Sequence, residues 1–286
     1  MTALVDQARD YSNYDQVVHW LSRHWMIVVN ILMGFYVIIP ILAPVFMAAG
    51  LIIPGKVIYW VYSFLCHQLP ERSYFLFGPK ISYSLPEIQS VWHNTENFAI
   101  LRQFVGNAQM GWKIAWSDRM VSMFTSLWLF GIFWGLAKKK IKALPWWGFI
   151  LLLLPMAVDG TTHLVSDLAG LGHGFRDSNT WLAVLTNNHF PATFYAGDAW
   201  GSFNAWMRLI TGVLFGLGTV WFGFPYLDEA FKTSAKVVEY KYQYRTWLKK
   251  EKERLANLSK TGIYRHDGLN VVVQQGGREG DNGDKQ

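Results

Sequence analysis

The sequence predicts an all-α protein: a polytopic helical membrane bundle of about five transmembrane helices, with helical outer loops and a basic amphipathic C-terminal helix. Three observations carry this prediction. Of 286 residues, 51% are hydrophobic and only 16% charged, and the apolar residues come in long runs rather than in stripes. Runs of that length must be helical, because backbone groups in lipid have to be satisfied within their own segment. Many of the 15 Trp, such as Trp25, Trp60, Trp116, Trp146 and Trp147, fall at the ends of apolar runs, where an amphipathic indole suits the headgroup layer.

Residues 1–24 form a polar N-terminal segment, with 14–21 able to make a short interfacial helix, and no signal peptide is evident. The membrane domain follows over 25–227. Met26 to Gly50 runs 25 residues without a charge, beyond the roughly 20 needed to cross a bilayer, and contains Pro40 and Pro44. Ile52 to Gln68 is shorter and carries Lys56 near its start; it reads as a second, tightly connected span ending in Cys66, His67 and Gln68, or as a re-entrant segment. Pro70 closes it, since proline disfavours helical geometry in the residue before it. From Tyr74 to Trp116 the chain is polar and too long for a plain turn. Ser84-Leu85-Pro86-Glu87 is a capping-box pattern, and Thr95 is placed to cap a stretch holding Phe98, Leu101 and Val105. Met120 to Ala137 is the third span, stopped by Lys138-Lys139-Lys140-Ile141-Lys142. Ala143 to Val158 is the fourth and leaves through Asp159-Gly160. The loop 161–203 contains a helix over 178–186, and Asn204 to Leu227 is the fifth span.

Residues 228–260 read as a basic amphipathic cytoplasmic helix. Between Phe231 and Lys260 there are nine Lys or Arg against three Glu, while Val237, Tyr240, Tyr244, Trp247, Leu248, Leu255 and Leu258 keep helical spacing. Such a helix lies on anionic lipid, docks a membrane protein partner, or is simply solvated. Residues 261–286 form a flexible tail, in which Asp267-Gly268 suits a small hairpin.

Cytoplasmic loops are rich in Lys and Arg, which puts Lys138–Lys142 and the tail inside and both long loops outside. With five spans the N-terminus is also outside. Polar clusters then share the outer layer: Cys66-His67-Gln68 with Glu71-Arg72-Ser73, Ser117-Asp118-Arg119, Asp159 to His163, and Asn204 with Arg208. Ionisable residues at membrane helix ends are costly unless paired or facing a wet cavity, so a shared polar site competes with separate interfacial anchors. Asp159 and His163 share a helix face if the fourth helix reaches that far, and with Cys66 or His67 they would make a metal site for a divalent ion such as zinc. Against this, Gly160 is placed to end the helix, and a hydrogen-bonded ion-pair network is the competing reading. Arg72, Arg119 and Arg208 either balance Glu71, Asp118 and Asp159 or, with Asn204 and Gln68, hold an anionic headgroup. Asp167, His173, Arg176, Asp177 and His189 lie in the second outer loop, most simply as solvated residues. Gly212, Gly216 and Gly218, with Gly131 and Gly135, mark close helix contacts. The single Cys66 excludes an internal disulfide and any Cys-x-x-Cys motif.

The order Cys-His-Gln-x-Pro-Glu-Arg-Ser, a later Arg at a helix start, Pro-x-x-x-Asp-Gly and Asn-x-x-x-Arg-x-x-Thr-Gly resembles an uncharacterised family of prokaryotic polytopic membrane proteins, a domain of unknown function. The resemblance covers about 57–218. Its matching positions are Cys66, His67, Gln68, Pro70, Glu71, Arg72, Ser73, Arg119, Asp159, Gly160, Asn204, Arg208 and Gly212. Relatives carry Cys flanking the central Arg where this chain has Ser117 and Met120, which argues against a redox or Cys-rich metal role there. The resemblance implies a common outer-face site and no established activity.

Two function classes follow for an integral protein of a prokaryotic plasma membrane. One is a membrane enzyme acting on a lipid or other anionic amphiphile, with Asp159, His67 or His163 as acid, base or metal ligand. The other is a non-catalytic membrane subunit or lipid-binding scaffold whose polar cluster is structural. A transporter ranks third, because no internal repeat is detectable. Membrane lipids are the expected partners, and no nucleic acid partner is expected. An open cavity at Asp159 would favour the enzyme; a sealed one, the scaffold.

Overall fold

The computed structural model describes residues 12–137, 141–261, 263–266 and 269–272. In chain order the elements are α1 (Asn13–Ala48), α2 (Ile52–Tyr62), a 3-10 turn (Pro70–Arg72), β1 (Ser73–Leu76), α3 (Leu85–Val91), α4 (Phe98–Leu101), β2 (Gly106–Asn107), β3 (Gly111–Ser117), α5 (Asp118–Ala137), α6 (Trp146–Asp167), α7 (Phe175–Ser178), α8 (Thr180–Leu185), α9 (Ala192–Tyr195), α10 (Phe203–Thr261), β4 (Ile263–His266) and β5 (Leu269–Val272). Helix dominates, as the apolar runs require, and the protein is a helical membrane bundle.

Among the described residues four helices, α1, α5, α6 and α10, are long and apolar enough to cross a membrane. They leave large apolar side chains such as Ile31, Leu136, Leu151 and Ile210 exposed, as a lipid-facing surface must. The expected fifth span does not form at full length. In its place α2 has 11 residues, about 16 Å at helical rise against a hydrocarbon core of about 30 Å. Cys66, His67 and Gln68 therefore do not sit on its last turn: they follow it in extended and turn conformations, with Gln68 at φ 54°. That left-handed backbone, unusual for a residue with a Cβ, sends the Gln68 amide back to the carbonyls of Tyr59 at 2.9 Å and Ala115 at 3.0 Å.

The chain falls into two compact units, His24–Ala230 and a second made of Met1–Arg23 with Phe231–Gln286. In the second unit the first turns of α1 pair with the far part of α10. Arg23 and His19 reach Glu239 at 2.8 and 3.0 Å, and Lys241 and Arg245 reach Asp15 at 2.9 and 3.5 Å. Ends that pair directly require an even number of crossings between them. Four spans satisfy this and five do not, so the expectation that the two ends lie on opposite sides is corrected. Strands β4 and β5 pair antiparallel with His266 opposite Leu269, which matches the expected hairpin. Its turn residues 267–268, the Gly-rich end from 273 and Lys138–Lys140 lie outside the described residues.

Within the larger unit α5 and α10 approach closely. A Cβ on Gly212 or Gly216 would lie 2.0 Å from Ser122 Oγ or 2.1 Å from Ser126 Oγ. Both hydroxyls instead donate across the contact, to the Arg208 carbonyl at 3.1 Å and the Gly212 carbonyl at 3.3 Å. Small residues facing small residues let helix backbones approach in lipid, where no hydrophobic force drives them together.

The first long loop was expected to be helical, and it also holds a three-stranded antiparallel sheet of order β1-β3-β2. Ser73 pairs with Ser117 and Phe75 with Lys113. The turn between β2 and β3 is built by Asn107, whose side chain accepts from Gln109 N and Met110 N at 2.9 and 2.8 Å. Gly111, at φ +78°, closes it, and a Cβ there would lie 2.3 Å from the Leu76 carbonyl. One face of β3 joins the membrane core, with Trp116 ringed by Tyr36, Tyr62 and Phe124 at 4.8 to 5.5 Å. A second core of Leu69, Phe75, Ile88, Leu101, Phe104 and Leu171 holds the loop layer together. The capping box at Ser84 forms, with Ser84 N donating to Glu87 at 2.9 Å. Asn97 rather than Thr95 caps α4, and Asn179, at φ 41°, divides the helix expected over 178–186 into α7 and α8.

Candidate functional site

The polar clusters expected at the outer helix ends do meet. Arg208, one turn into α10, donates to Asp118 at the start of α5 at 2.8 and 2.9 Å and to Asp198 Oδ1 at 2.6 Å. Asp198 also receives Arg72 Nε at 2.8 Å, and the other two nitrogens of Arg72 fork onto Asp167 at the end of α6, both at 2.7 Å. On the other side of Asp118, Arg119 donates to Asp159 Oδ2 at 2.6 Å. Arg176 takes the remaining Asp159 oxygen at 2.6 Å and continues to Asn204 Oδ1 at 3.1 Å, beneath the ring of Phe203. Four Arg and four Asp thus form two ion clusters, Asp167–Arg72–Asp198–Arg208–Asp118 and Arg119–Asp159–Arg176, which meet where the Arg119 amide donates to Asp118 Oδ1 at 2.7 Å, and this chain joins the 3-10 turn, α5, α6, α7 and α10.

Helix α6 does not stop at Gly160. It runs to Asp167, so Asp159 and His163 share a face, with His163 Nε2 at 3.9 Å from Asp159 Oδ1 and 3.2 Å from Arg176. Gly160 leaves room for the guanidinium above it, since a Cβ there would be 3.0 Å from Arg119 Nη1. Asn204 is fully buried and its amide donates to the carbonyls of Arg176 and Gly197 at 2.7 and 3.0 Å. Burial alone would raise the Asp198 carboxyl, but Arg72 and Arg208 hold it well below the usual carboxylate range.

The residues expected as metal ligands lie against other protein groups. Cys66 Sγ lies against Ser117, at 3.4 Å from its hydroxyl and 3.3 Å from its amide. His67 Nδ1 accepts from Leu69 N at 3.0 Å. Asp159 has both oxygens on guanidinium groups. Among the described residues no three His, Cys, Asp or Glu converge as a metal site would require. Burial, with Arg72, Arg208 and Arg119 nearby, pushes the His67 imidazole down to about 3, which disfavours its imidazolium form.

Glu71, expected to balance an arginine, does not join the chain. Both of its carboxylate oxygens are buried without a hydrogen bond from any other residue, and burial raises its carboxyl to about 7 against the pull of Arg72. Lys113 on β3, fully buried, donates to the carbonyls of Gln68 and Arg102 at 2.6 and 2.8 Å, and burial lowers its ammonium to about 7. Three members of the chain were not foreseen in their roles. Asp167 and Arg176 read as solvated loop residues, and Asp198 stood out by nothing except its place after Gly197, shortly before a helix start. His173 and His189 are exposed, the former pairing with Glu96 at 2.9 Å, and Asp177 caps the Gly174 amide at 2.8 Å.

Residues 108–222 match a family described as predicted membrane protein, DUF2085. The match begins in the β2–β3 turn and ends within α10. It contains every member of the ion chain except Arg72, and leaves Cys66 to Ser73 outside. An uncharacterized protein of Methanocaldococcus jannaschii, MJ1492, is 28% identical over 142 residues, covering 48% of this chain and 65% of that protein. The chain thus spans somewhat less than two thirds of the length of the curated relative it matches. No solved structure matches it. Over 108–222 this family match agrees with the resemblance to uncharacterised polytopic membrane proteins, while the Cys66–Ser73 motif lies outside it.

Proposed function

We propose that this protein is a non-catalytic membrane scaffold, in which the chain of four Arg and four Asp fastens a rigid loop layer to the outer ends of the membrane helices. The observation that carries this reading is the packing of Asp159, whose side chain is 1% exposed with one oxygen on Arg119 and the other on Arg176. A general acid or base must reach a substrate proton, and an anionic headgroup needs guanidinium donors that are free to turn outward. Arg72, Arg176 and Arg208 instead spend all three of their nitrogens inside the network.

The basic loop at 138–142 and the basic stretch of α10 favour the cytoplasmic side of a plasma membrane for both ends of the chain, with the loop layer outside. On that basic stretch Val237, Tyr240, Tyr244 and Trp247 are exposed, and an aromatic stripe flanked by Lys and Arg suits the anionic inner leaflet or a membrane protein partner. Elemental analysis and lipid mass spectrometry of the purified protein test the scaffold reading, comparing wild type with Asp159→Asn and Arg119→Ala. The expected result is no stoichiometric metal and no lipid retained by wild type and lost in the variants. A retained lipid or metal that disappears in either variant would return the cluster to a binding or catalytic role.

A further inference from the structure

Helix α2 is too short to cross a membrane, yet it packs along one that is long enough. After α1 the chain reverses at Gly50, at φ 77°, where Leu51 N donates to the Phe46 carbonyl at 2.8 Å and Gly50 N to the Met47 carbonyl at 3.1 Å, the paired bonds of a Schellman end. It then runs back along α1. Gly55 lies against Met47 and Ala43, since a Cβ there would be 2.8 Å from Met47 Sδ and 3.4 Å from the Ala43 carbonyl. Farther on, the Tyr62 hydroxyl donates to the Tyr36 carbonyl at 3.2 Å. Tyr36 stands beside Ile38, the midpoint of the uncharged run Met26 to Gly50. The register on α1 therefore carries the 11 residues of α2 from the end of that run to its middle, about 16 Å against the roughly 15 Å of one leaflet.

We propose that α2 is a re-entrant helix whose exposed face docks on the acyl chains of a single leaflet, entering and leaving that leaflet on the side of the loop layer. Its two faces fit this depth. Gly55, Tyr59 and Tyr62 are buried, with Tyr59 donating to the Lys113 carbonyl of β3 at 2.5 Å. Ile53, Val57, Trp60, Val61 and Phe64 are exposed at helical spacing, and Lys56 stands near the shallow end, where its stem lets the ammonium snorkel to the headgroups. The occupant follows from register. Phe35 and Ile38, level with the deep end of α2, are exposed on a helix long and apolar enough to span, so the face beside them meets the same lipid. At the deep end protein groups take the freed carbonyls: the Gln68 amide that of Tyr59 at 2.9 Å, Arg102 that of Ser63 at 2.8 Å, and Ser63 Oγ that of Trp60 at 2.7 Å. Non-helical backbone at membrane depth is tolerated only where protein satisfies it in this way. The ion chain is then set below the headgroups. Phe124 of α5 meets Tyr36 at 4.9 Å, and Asp118 lies about 9 Å from that level toward the loop layer, whereas Ala48 lies about 18 Å from it. Being measured against α1, the arrangement goes beyond the scaffold reading and stands or falls independently of it and of which leaflet faces the cytoplasm.

The test uses the full chain in phosphatidylcholine liposomes, with Cys66→Ser to keep a hydroxyl against Ser117 and a nitroxide at one exposed position at a time: Ile53→Cys, Val57→Cys, Phe64→Cys, and Phe35→Cys as the reference on α1. Power saturation reads collision with oxygen, which concentrates among acyl chains, and with a neutral nickel chelate, which stays in water. The oxygen-to-nickel ratio is expected to rise from Ile53 through Val57 to Phe64 by at least about fivefold, because a polar chelate is costly to bring into hydrocarbon, and to reach the value found at Phe35. All four side chains are exposed, so their replacement leaves the core intact. A ratio that does not rise toward Phe64 overturns the proposal, since a helix lying flat among the headgroups would give it. So does a ratio that peaks at Val57 and falls again by Phe64, the mark of a full crossing. Low collision with both reagents along α2 also overturns it, because a second copy or a partner helix would then cover the face.

Discussion

Removing Asp159 should cost more than removing either of its arginines, and the three costs should not add. Its side chain is 1% exposed and serves two guanidinium groups at 2.6 Å each. Deleting one partner of such a buried pair leaves an uncompensated charge, at roughly 3 to 5 kcal/mol. Asp159→Ala is expected at the upper end, because two arginines lose their carboxylate at once. Arg176→Ala is expected near the lower end, since Asp159 keeps Arg119. Arg119, 20% exposed with its Nε unpartnered, can turn toward water, so Arg119→Ala should cost only about 1 to 2 kcal/mol. The double variant Asp159→Ala with Arg176→Ala should then be less destabilised than the sum by at least about 1 kcal/mol, because neither orphan remains. Reversible unfolding in mixed micelles, monitored by tryptophan fluorescence, reads all four free energies. Simple additivity within about 0.5 kcal/mol would refute the reasoning, since it would mean that the pair does not interact.

Gly216→Ala should destabilise the α5–α10 contact by about 1 to 3 kcal/mol, and Ser126→Ala should relieve it only in part, because Leu127 N at 2.7 Å also stands in the way of the new Cβ; a fully rescued double variant in the same unfolding assay would contradict the close approach. Glu71 has its carboxyl raised from 4.5 to about 7 with Arg72, Asp198 and Lys113 around it, so the folded state holds the extra proton and wild-type stability should fall by roughly 3 kcal/mol as pH rises from 4.5 to about 7. Glu71→Gln should lose that slope and be at least as stable as wild type at pH 8; a slope that persists in the variant would assign it to other groups. In a Cys66→Ser background, an impermeant maleimide applied to intact cells should label Leu185→Cys, on exposed α8, and leave Tyr240→Cys unlabelled until the membrane is opened; the reverse pattern would invert the topology.

How much was legible follows from the range of each interaction. The four long helices could be read because lipid imposes one requirement on every residue of a run, and 25 uncharged residues from Met26 satisfy it regardless of context. The segment after Ile52 failed this reading for a local reason: α2 stops at Tyr62, and the Gln68 amide returns to its Tyr59 carbonyl from a left-handed turn that no periodicity announces. The sheet was missed because β1 and β3 are 4 and 7 residues long and join partners about forty positions apart. The Gly106-Asn107 to Gly111 turn was its one local signal. Arg72, Arg119, Arg208 and Asp159 stood out because a charge at a membrane helix end is conspicuous. Asp167, Arg176 and Asp198 did not, because a charge in a loop is ordinary until the loop folds back.

That difference explains the shape of the site. At the ends of α5, α6 and α10 that face the loop layer stand Asp118, Arg119, Asp159 and Arg208, with Asp167 at the last residue of α6. In principle they could pair among themselves. They do so only in part: Arg208 pairs with Asp118 and Arg119 with Asp159, but Arg208 also takes Asp198 and Asp159 also takes Arg176, so loop residues complete two of the four helix charges. A bundle whose helix ends are left half-paired is costly at the membrane boundary, and folding the loop layer onto it removes that cost. The loop layer is thereby selected by electrostatics and then fixed by its own core around Phe75, Ile88 and Leu171. Among the described residues Glu71 is the acid on this layer whose carboxylate takes no hydrogen bond from another residue, and Arg72 beside it is committed to Asp167 and Asp198.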